Sequence, residues 1–264
     1  MTARLLIPLL LLFCSPLLAF DHQRWDALLA DHVTWQRDGV TTSVDYQGFR
    51  NDRAALDAYL VALSQVPADD FARWPRSEQL AFLINAYNAF TVDLILRQDT
   101  LPTSIRDIGS FFSGPWDQRF FRLLGEERTL DDVEHEMIRG NPALMDPRIH
   151  FAVNCASVGC PALRPEAYTG EWLDAQLADS TRRFLSDRRR NRYDAEAGVL
   201  RVSSIFDWYQ EDFEDSAGGL GDYLLQYADA LALPAEARRN LEAGDLPVRF
   251  LDYDWSLNTA SNNP

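Results

Sequence analysis

The chain has 264 residues, with 40 Asp and Glu against 25 Lys and Arg, and a net charge of −15. Every basic side chain is Arg, which excludes lysine Schiff-base chemistry and a P-loop lysine. The acidity argues against nucleic acid or an anionic membrane surface as a partner, because phosphate is bound through clustered cations.

Residues 1–19 read as a secretory signal: Met1 to Arg4 gives a positive start, Leu5 to Leu18 an apolar run, and Leu17-Leu18-Ala19 a cleavage site. The run is short for a membrane span and is interrupted by Pro8 and Pro16. Bulky Phe13 before Cys14 speaks against lipid anchoring. The expectation is cleavage near Ala19, no stable membrane span afterwards, and one periplasmic or secreted globular domain over 20–264.

A helix is predicted over 20–36, with Trp25, Leu28, Leu29, His32 and Val33 near helical spacing. The β-branched run 41–46 predicts a strand, and 52–66 a second helix with Leu56, Tyr59, Leu60 and Leu63 on one side. The strongest helix is predicted over 77–97, with Ser77 as N-cap, Glu78 in the first turn and a wide apolar stripe from Leu80 to Ile95. Residues 102–125 predict an aromatic-rich loop with a short strand or hairpin at 118–124. A short helix follows over 129–139, opened by a Thr129/Asp132 capping arrangement and stopped at Gly140. Residues 149–153 predict a buried strand or helical segment. Helices are predicted at 171–185, 204–213, 223–231 and 235–243, and strands at 199–202 and 248–251. The fold class is α+β, predominantly helical with a small β-sheet.

Three polar features interrupt this pattern. Glu134 falls on the buried row of its helix between Leu130 and Ile138, so a partner is required: an Arg such as Arg148, a His, or a raised pKa. His135 turns away from that row. Asn85 and Asn88 flank Tyr87 on an otherwise apolar helix and either fix neighbouring backbone or orient a catalytic group. His150 and Cys155 precede a turn closing at Cys160-Pro161, and outside the leader these are the only two cysteines. A nearby imidazole, His150 or His135, would lower the Cys155 thiol from about 8.5 toward neutrality and make it a nucleophile. A Cys155–Cys160 disulfide, worth about 2 kcal/mol by loop-closure entropy, is the alternative in an oxidising compartment. A metal site of His150, Cys155 and Cys160, with His135, is a third. The aromatic–acid cluster Asp207-Trp208-Tyr209 and Asp212-Phe213 reads as packing, and Arg188-Arg189-Arg190 as a solvated patch.

Several blocks together resemble the family called domain of unknown function 547: residues 82–89, 130–135, 148–161, 207–213 and 253–258. The family is bacterial and also occurs in plant proteins. The resemblance implies that Asn85, Tyr87, Asn88, Glu134, His135, His150 and Cys155 form a shared polar set. It also implies that plant relatives keep the first cysteine and vary the second, which disfavours an obligatory bridge. The sequence reading is therefore an exported thiol-dependent hydrolase or acyl transferase without a cofactor, acting on a small molecule or peptide. Cys155 is its nucleophile, His150 or His135 its base, Glu134 the orienting group and Asn85 or Asn88 the polar stabiliser. A non-catalytic binding module and a Cys155/Cys160 redox pair are the alternatives.

Overall fold

Apolar side chains on every turn of 80–96 make one helix the axis on which the protein is built. The computed structural model describes residues 20–109 and 113–262; the leader expected at 1–19, including Cys14, and the Phe111-Phe112 pair lie outside the described residues. The chain opens with α1 (Gln23–His32), which buries Trp25, Leu28 and Leu29. The helix expected to run to residue 36 stops early, because Val33–Trp35 leaves it as strand β1 and pairs antiparallel with β2 (Thr42–Val44). Gly39, at φ +68°, makes the reversal between them. The expected strand likewise ends at Val44, where the Asp45 carboxylate accepts the Gly48 N–H at 2.9 Å and starts α2 (Tyr46–Asn51).

Helices α3 (Arg53–Ser64) and α4 (Ala68–Phe71) lead to α5 (Arg76–Leu96). Pro75, not Ser77, is the residue before α5, and it makes no side-chain cap. Helix α5 is long and apolar enough to cross a membrane, yet 89% of that stretch is buried inside the fold, so it is a core helix. A hairpin of β3 (Phe121–Leu123) and β4 (Glu126–Arg128) follows, turning through Leu124 and Gly125 at φ +51° and +87°. Phe121 of that hairpin stacks on Phe90 of α5 at 3.9 Å.

The expected capping box is present: Thr129 Oγ1 accepts the Asp132 N–H, and Asp132 accepts the Thr129 N–H, both at 2.9 Å. The helix it opens is a π-helix, Asp132–Arg139, wound with i→i+5 bonds such as Gly140 N–H to the His135 carbonyl. Of the strand or helical segment expected at 149–153, the helical one forms, as a 3₁₀ turn over residues 147–151 with Pro147 at its start and Asp146 capping it. Helix α6 (Leu173–Ser186) leads into a three-stranded sheet of order β5 (Arg192–Asp194), β6 (Val199–Ser203), β7 (Val248–Leu251), in which β6 and β7 are parallel. The crossover between β6 and β7 holds α7 (Ile205–Trp208), α8 (Gln210–Ala217), α9 (Leu220–Leu225) and α10 (Ala235–Glu242). The single helix expected at 204–213 is broken at Tyr209, whose φ is −118°.

The fold is α+β and mostly helical. Its apolar side chains form two clusters, one around α5 and one of Phe151, Phe184, Phe206, Phe213 and Tyr223 with their neighbours. The 3₁₀ turn joins them: Ile149 belongs to the first and Phe151 to the second, so His150 sits at their junction.

His22 is buried in the first cluster, with Nδ1 2.7 Å from the Tyr59 hydroxyl and Nε2 unpartnered. Burial lowers it from 6.5 to about 4, against a small opposing effect of Asp21. Unfolded chains therefore bind a proton that the fold refuses. The stability involved is full above pH 6.5 and is lost, by about 3 kcal/mol, as pH falls to 4. Urea midpoints at pH 7 and pH 4.5 should differ more for the native chain than for His22→Gln; equal differences in the two would remove His22 from the acid response.

Candidate functional site

A cavity of about 240 Å³ opens where the two clusters meet. The π-helix contributes Glu134 and His135 to its wall and, at its N-cap, Asp131; the 3₁₀ turn contributes His150, and α5 Tyr87. The region around α7 adds Trp208 and Tyr209, the C-terminal segment Tyr253 and Trp255, and the turn after the 3₁₀ segment Cys155 and Pro161.

Glu134 is buried, as its position in the sequence required, at 5% exposure. Its partners are not arginines. The phenols of Tyr87 and Tyr209 feel its charge, and both are pushed above their ordinary range, first by burial and then by this carboxylate. Its Oε1 lies 3.8 Å from His150 Nδ1, beyond a hydrogen bond. Arg148, the arginine expected to neutralise it, pairs instead with Asp146 and Asp174, both at 2.8 Å.

His150 is fully buried against Tyr209, with ring centroids 3.8 Å apart. Its Nε2 is 2.7 Å from Asp212 Oδ2, and the same carboxylate takes Arg139 through both oxygens at 2.5 and 3.0 Å. Burial opposes ionisation of Asp212, but the His150 and Arg139 hydrogen bonds overcome it and hold its carboxyl down at about 2. Burial lowers His150 below the usual imidazole value by more than Asp212 and Glu134 raise it. The ring is therefore neutral, with Nε2–H donated to Asp212 and Nδ1 left as a lone-pair acceptor without a partner. His135, half exposed, has Nδ1 2.9 Å from Arg139 Nη1 and Nε2 3.6 Å from Asp131.

Cys155 and Cys160 are joined by a disulfide with Cα atoms 6.0 Å apart. This overturns the free-thiol nucleophile in this chain. Neither imidazole partners the Cys155 sulfur: His150 is committed to Asp212, His135 borders Arg139 and Asp131, and the polar contact of Cys155 Sγ is the Tyr253 hydroxyl at 3.2 Å. The two-thiol metal site is overturned on the same ground, and among the described residues no group of three or more His, Cys, Asp or Glu side chains is placed to hold a metal. The Cys155–Cys160 turn is pinned from several sides. Ala156 sits at φ +60°, a strained conformation for a residue with a Cβ. The C-terminal segment lies along the turn, Val158 N–H donating to Ser256 O and Gly159 N–H to Asp254 O at 2.8 Å. Gly159 has no Cβ because the Tyr253 ring occupies that place, 2.8 Å from where the atom would stand.

Asn85 and Asn88 follow the backbone-fixing reading, not the catalytic one. Asn85 donates to Tyr168 O at 2.7 Å and accepts Tyr168 N–H at 3.0 Å. Asn88 donates to Ala152 O at 3.0 Å and accepts Asn154 N–H at 2.8 Å. Each amide thus has one N–H and its oxygen committed to neighbouring backbone. Arg190 also departs from the solvated patch: its side chain is buried and pairs with Asp187 at 2.7 Å. Sequence reasoning missed Asp212, Trp208 and Tyr209 as site residues, reading them as packing, and did not single out Asp131, Trp116 or Tyr253 for the site. Asp212 carried a usable signal, an acid immediately before buried Phe213.

Asp212→Asn should cost about 2 kcal/mol in urea unfolding, since it leaves Arg139 and His150 without their shared anion in a largely buried site. Asp174→Asn, at an exposed ion pair, should change stability by less than about 0.5 kcal/mol. Similar effects from both would show that the Asp212 hub is not a structural keystone.

No curated protein and no solved structure matches this chain. Residues 71–185 match the model of a family described as "Protein of unknown function, DUF547"; the match takes in α5, the π-helix and the disulfide turn.

Proposed function

We propose that this protein carries out thiol–disulfide exchange through a reversible Cys155–Cys160 pair at the wall of the cavity. The observation that carries the reading is the unequal setting of the two sulfurs. Cys155 borders the cavity, whereas Cys160 is 3% exposed. The Cys160 sulfur accepts two backbone N–H groups, from Cys155 at 3.0 Å and Ser157 at 3.4 Å.

An incoming thiolate attacks Cys155 Sγ from the cavity. The Cys155–Cys160 bond breaks, its electron pair stays on Cys160, and a mixed disulfide remains on Cys155. The two N–H donors favour the thiolate on Cys160, which makes it the better leaving group. A second thiolate then attacks the incoming group's sulfur and releases a disulfide. Two thiols have been oxidised, and the pair holds two electrons and two protons. In the opposite direction the reduced pair opens a substrate disulfide, with Cys155 attacking, the Tyr253 hydroxyl donating to its thiolate, and Cys160 resolving. An exported location near an oxidising pool is part of this proposal.

Cys160→Ser should trap a stable mixed disulfide on Cys155 when offered a small disulfide, and Cys155→Ser should trap far less on its buried partner. The native pair should be reduced without unfolding, at a potential above about −300 mV, the range typical of structural bridges lying below that. A bridge that opens only in denaturant, or equal trapping by both variants, would make it a structural clamp and end the proposal.

A further inference from the structure

The inner end of the cavity presents two hydrogen-bond acceptors and no donor for them to share. His150 is 2% exposed, and its Nδ1 has no partner. The Glu134 carboxylate, with Oε1 3.8 Å away, is buried near the Tyr87 and Tyr209 phenols and has capacity for several donors. A buried acceptor without a donor is costly, so a site of this kind is completed by what enters it. Asp131 adds a second carboxylate to the wall. The nearby cations are already engaged: Arg139 is held by Asp212 and lies over the Tyr209 ring at 5.0 Å, while Arg106 lies over Trp255 at 5.2 Å. His135 faces Asp131. Much of the remaining wall is aromatic, with Trp116, Trp208, Tyr253 and Trp255, and the rest includes Val153 and Ile205. Acceptors, negative charge and aromatic faces together describe the surroundings of an organic ammonium, whose N–H groups are donors and whose charge is attracted to ring faces.

We infer that this end of the cavity is an ammonium site, in which a primary amine cation donates to Glu134 and to His150 Nδ1. The thiol or disulfide that reaches Cys155 accordingly carries an amine. This second statement rests on the exchange reading; the ammonium site itself does not.

Three small disulfides with ammonium, hydroxyl or carboxylate ends test it: cystamine, bis(2-hydroxyethyl) disulfide and dithiodipropionate. Their rates with the reduced protein are measured at 0.15 M ionic strength, each divided by its rate with free 2-mercaptoethanol to remove intrinsic reactivity. The corrected rate for cystamine should exceed that for dithiodipropionate by about tenfold, a difference expected when a fixed charge acts across a partly desolvated cavity. Glu134→Gln should cut the preference at least threefold and Asp131→Asn should cut it less, whereas Glu236→Gln on the exposed face of α10 should leave it intact. Equal corrected rates, or a preference that survives both cavity variants, would overturn the inference. A preference lowered as much by Glu236→Gln would assign it to the overall charge and overturn it too. Absence of exchange with all three disulfides sinks the redox reading alone. In that case butylammonium, with butanol as control, decides the site: it should shift the His150 ring resonances saturably, and no shift would overturn it.

Discussion

Two side-chain amides facing inward from α5 hold the arrangement together. Asn85 and Asn88 each donate to and accept from a backbone that is not their own, so each takes the place of a neighbouring strand for the segment 152–168. A buried amide is costly when any of its capacity is unused, and here both ends are used. The segment they hold lies outside the named strands, and these two residues fix it to α5 while Thr42, Asp26 and the C-terminal segment hold it elsewhere. Asn154 continues the chain of bonds: its backbone N–H goes to Asn88, its side chain donates to Pro161 O at 2.7 Å and accepts Ala156 N–H at 3.0 Å. The disulfide turn is therefore tied to α5 on one side and to the C-terminal segment on the other.

The cavity exists because two apolar clusters meet without merging. Ile149 and Phe151 anchor the 3₁₀ turn in one cluster each, and the histidine between them is carried into the seam with full burial. The seam holds acids because each has donors to hand. Asp212 is shared by Arg139 and His150, and Glu134 lies near the phenols of Tyr87 and Tyr209. The π-helix contributes by geometry, since its wider winding brings Glu134 and His135 to the same cavity wall although they are adjacent in sequence.

Strain and close approach concentrate at the sulfurs. Ala156 is held left-handed immediately after Cys155, and Gly159 leaves room for the Tyr253 ring whose hydroxyl meets the Cys155 sulfur. Backbone N–H groups gathered by this turn point at Cys160, not Cys155. That polarity distinguishes the two sulfurs chemically, and a simple stabilising clamp would not require it.

Periodicity and local capping determined α3, α5, α10, β6 and β7 to within a residue or two, because each is fixed by its own apolar spacing. The Thr129/Asp132 box and the burial of Glu134 were legible for the same reason: both depend on residues within one or two turns. The early end of α1 and the break at Tyr209 were not, since the first needs the pairing of Val33 with Val44 and the second the packing of separate helices. Spacing alone allowed Cys155 and Cys160 to be thiol, metal ligand or bridge, because five residues on a turn can satisfy all three. Only the tertiary structure placed the sulfurs in bonding contact and gave His150 to Asp212, 62 residues away. The sequence by itself determined which polar groups must be buried; which partner each one meets was decided by chain crossings that bring distant segments together, and local propensity carries no record of them.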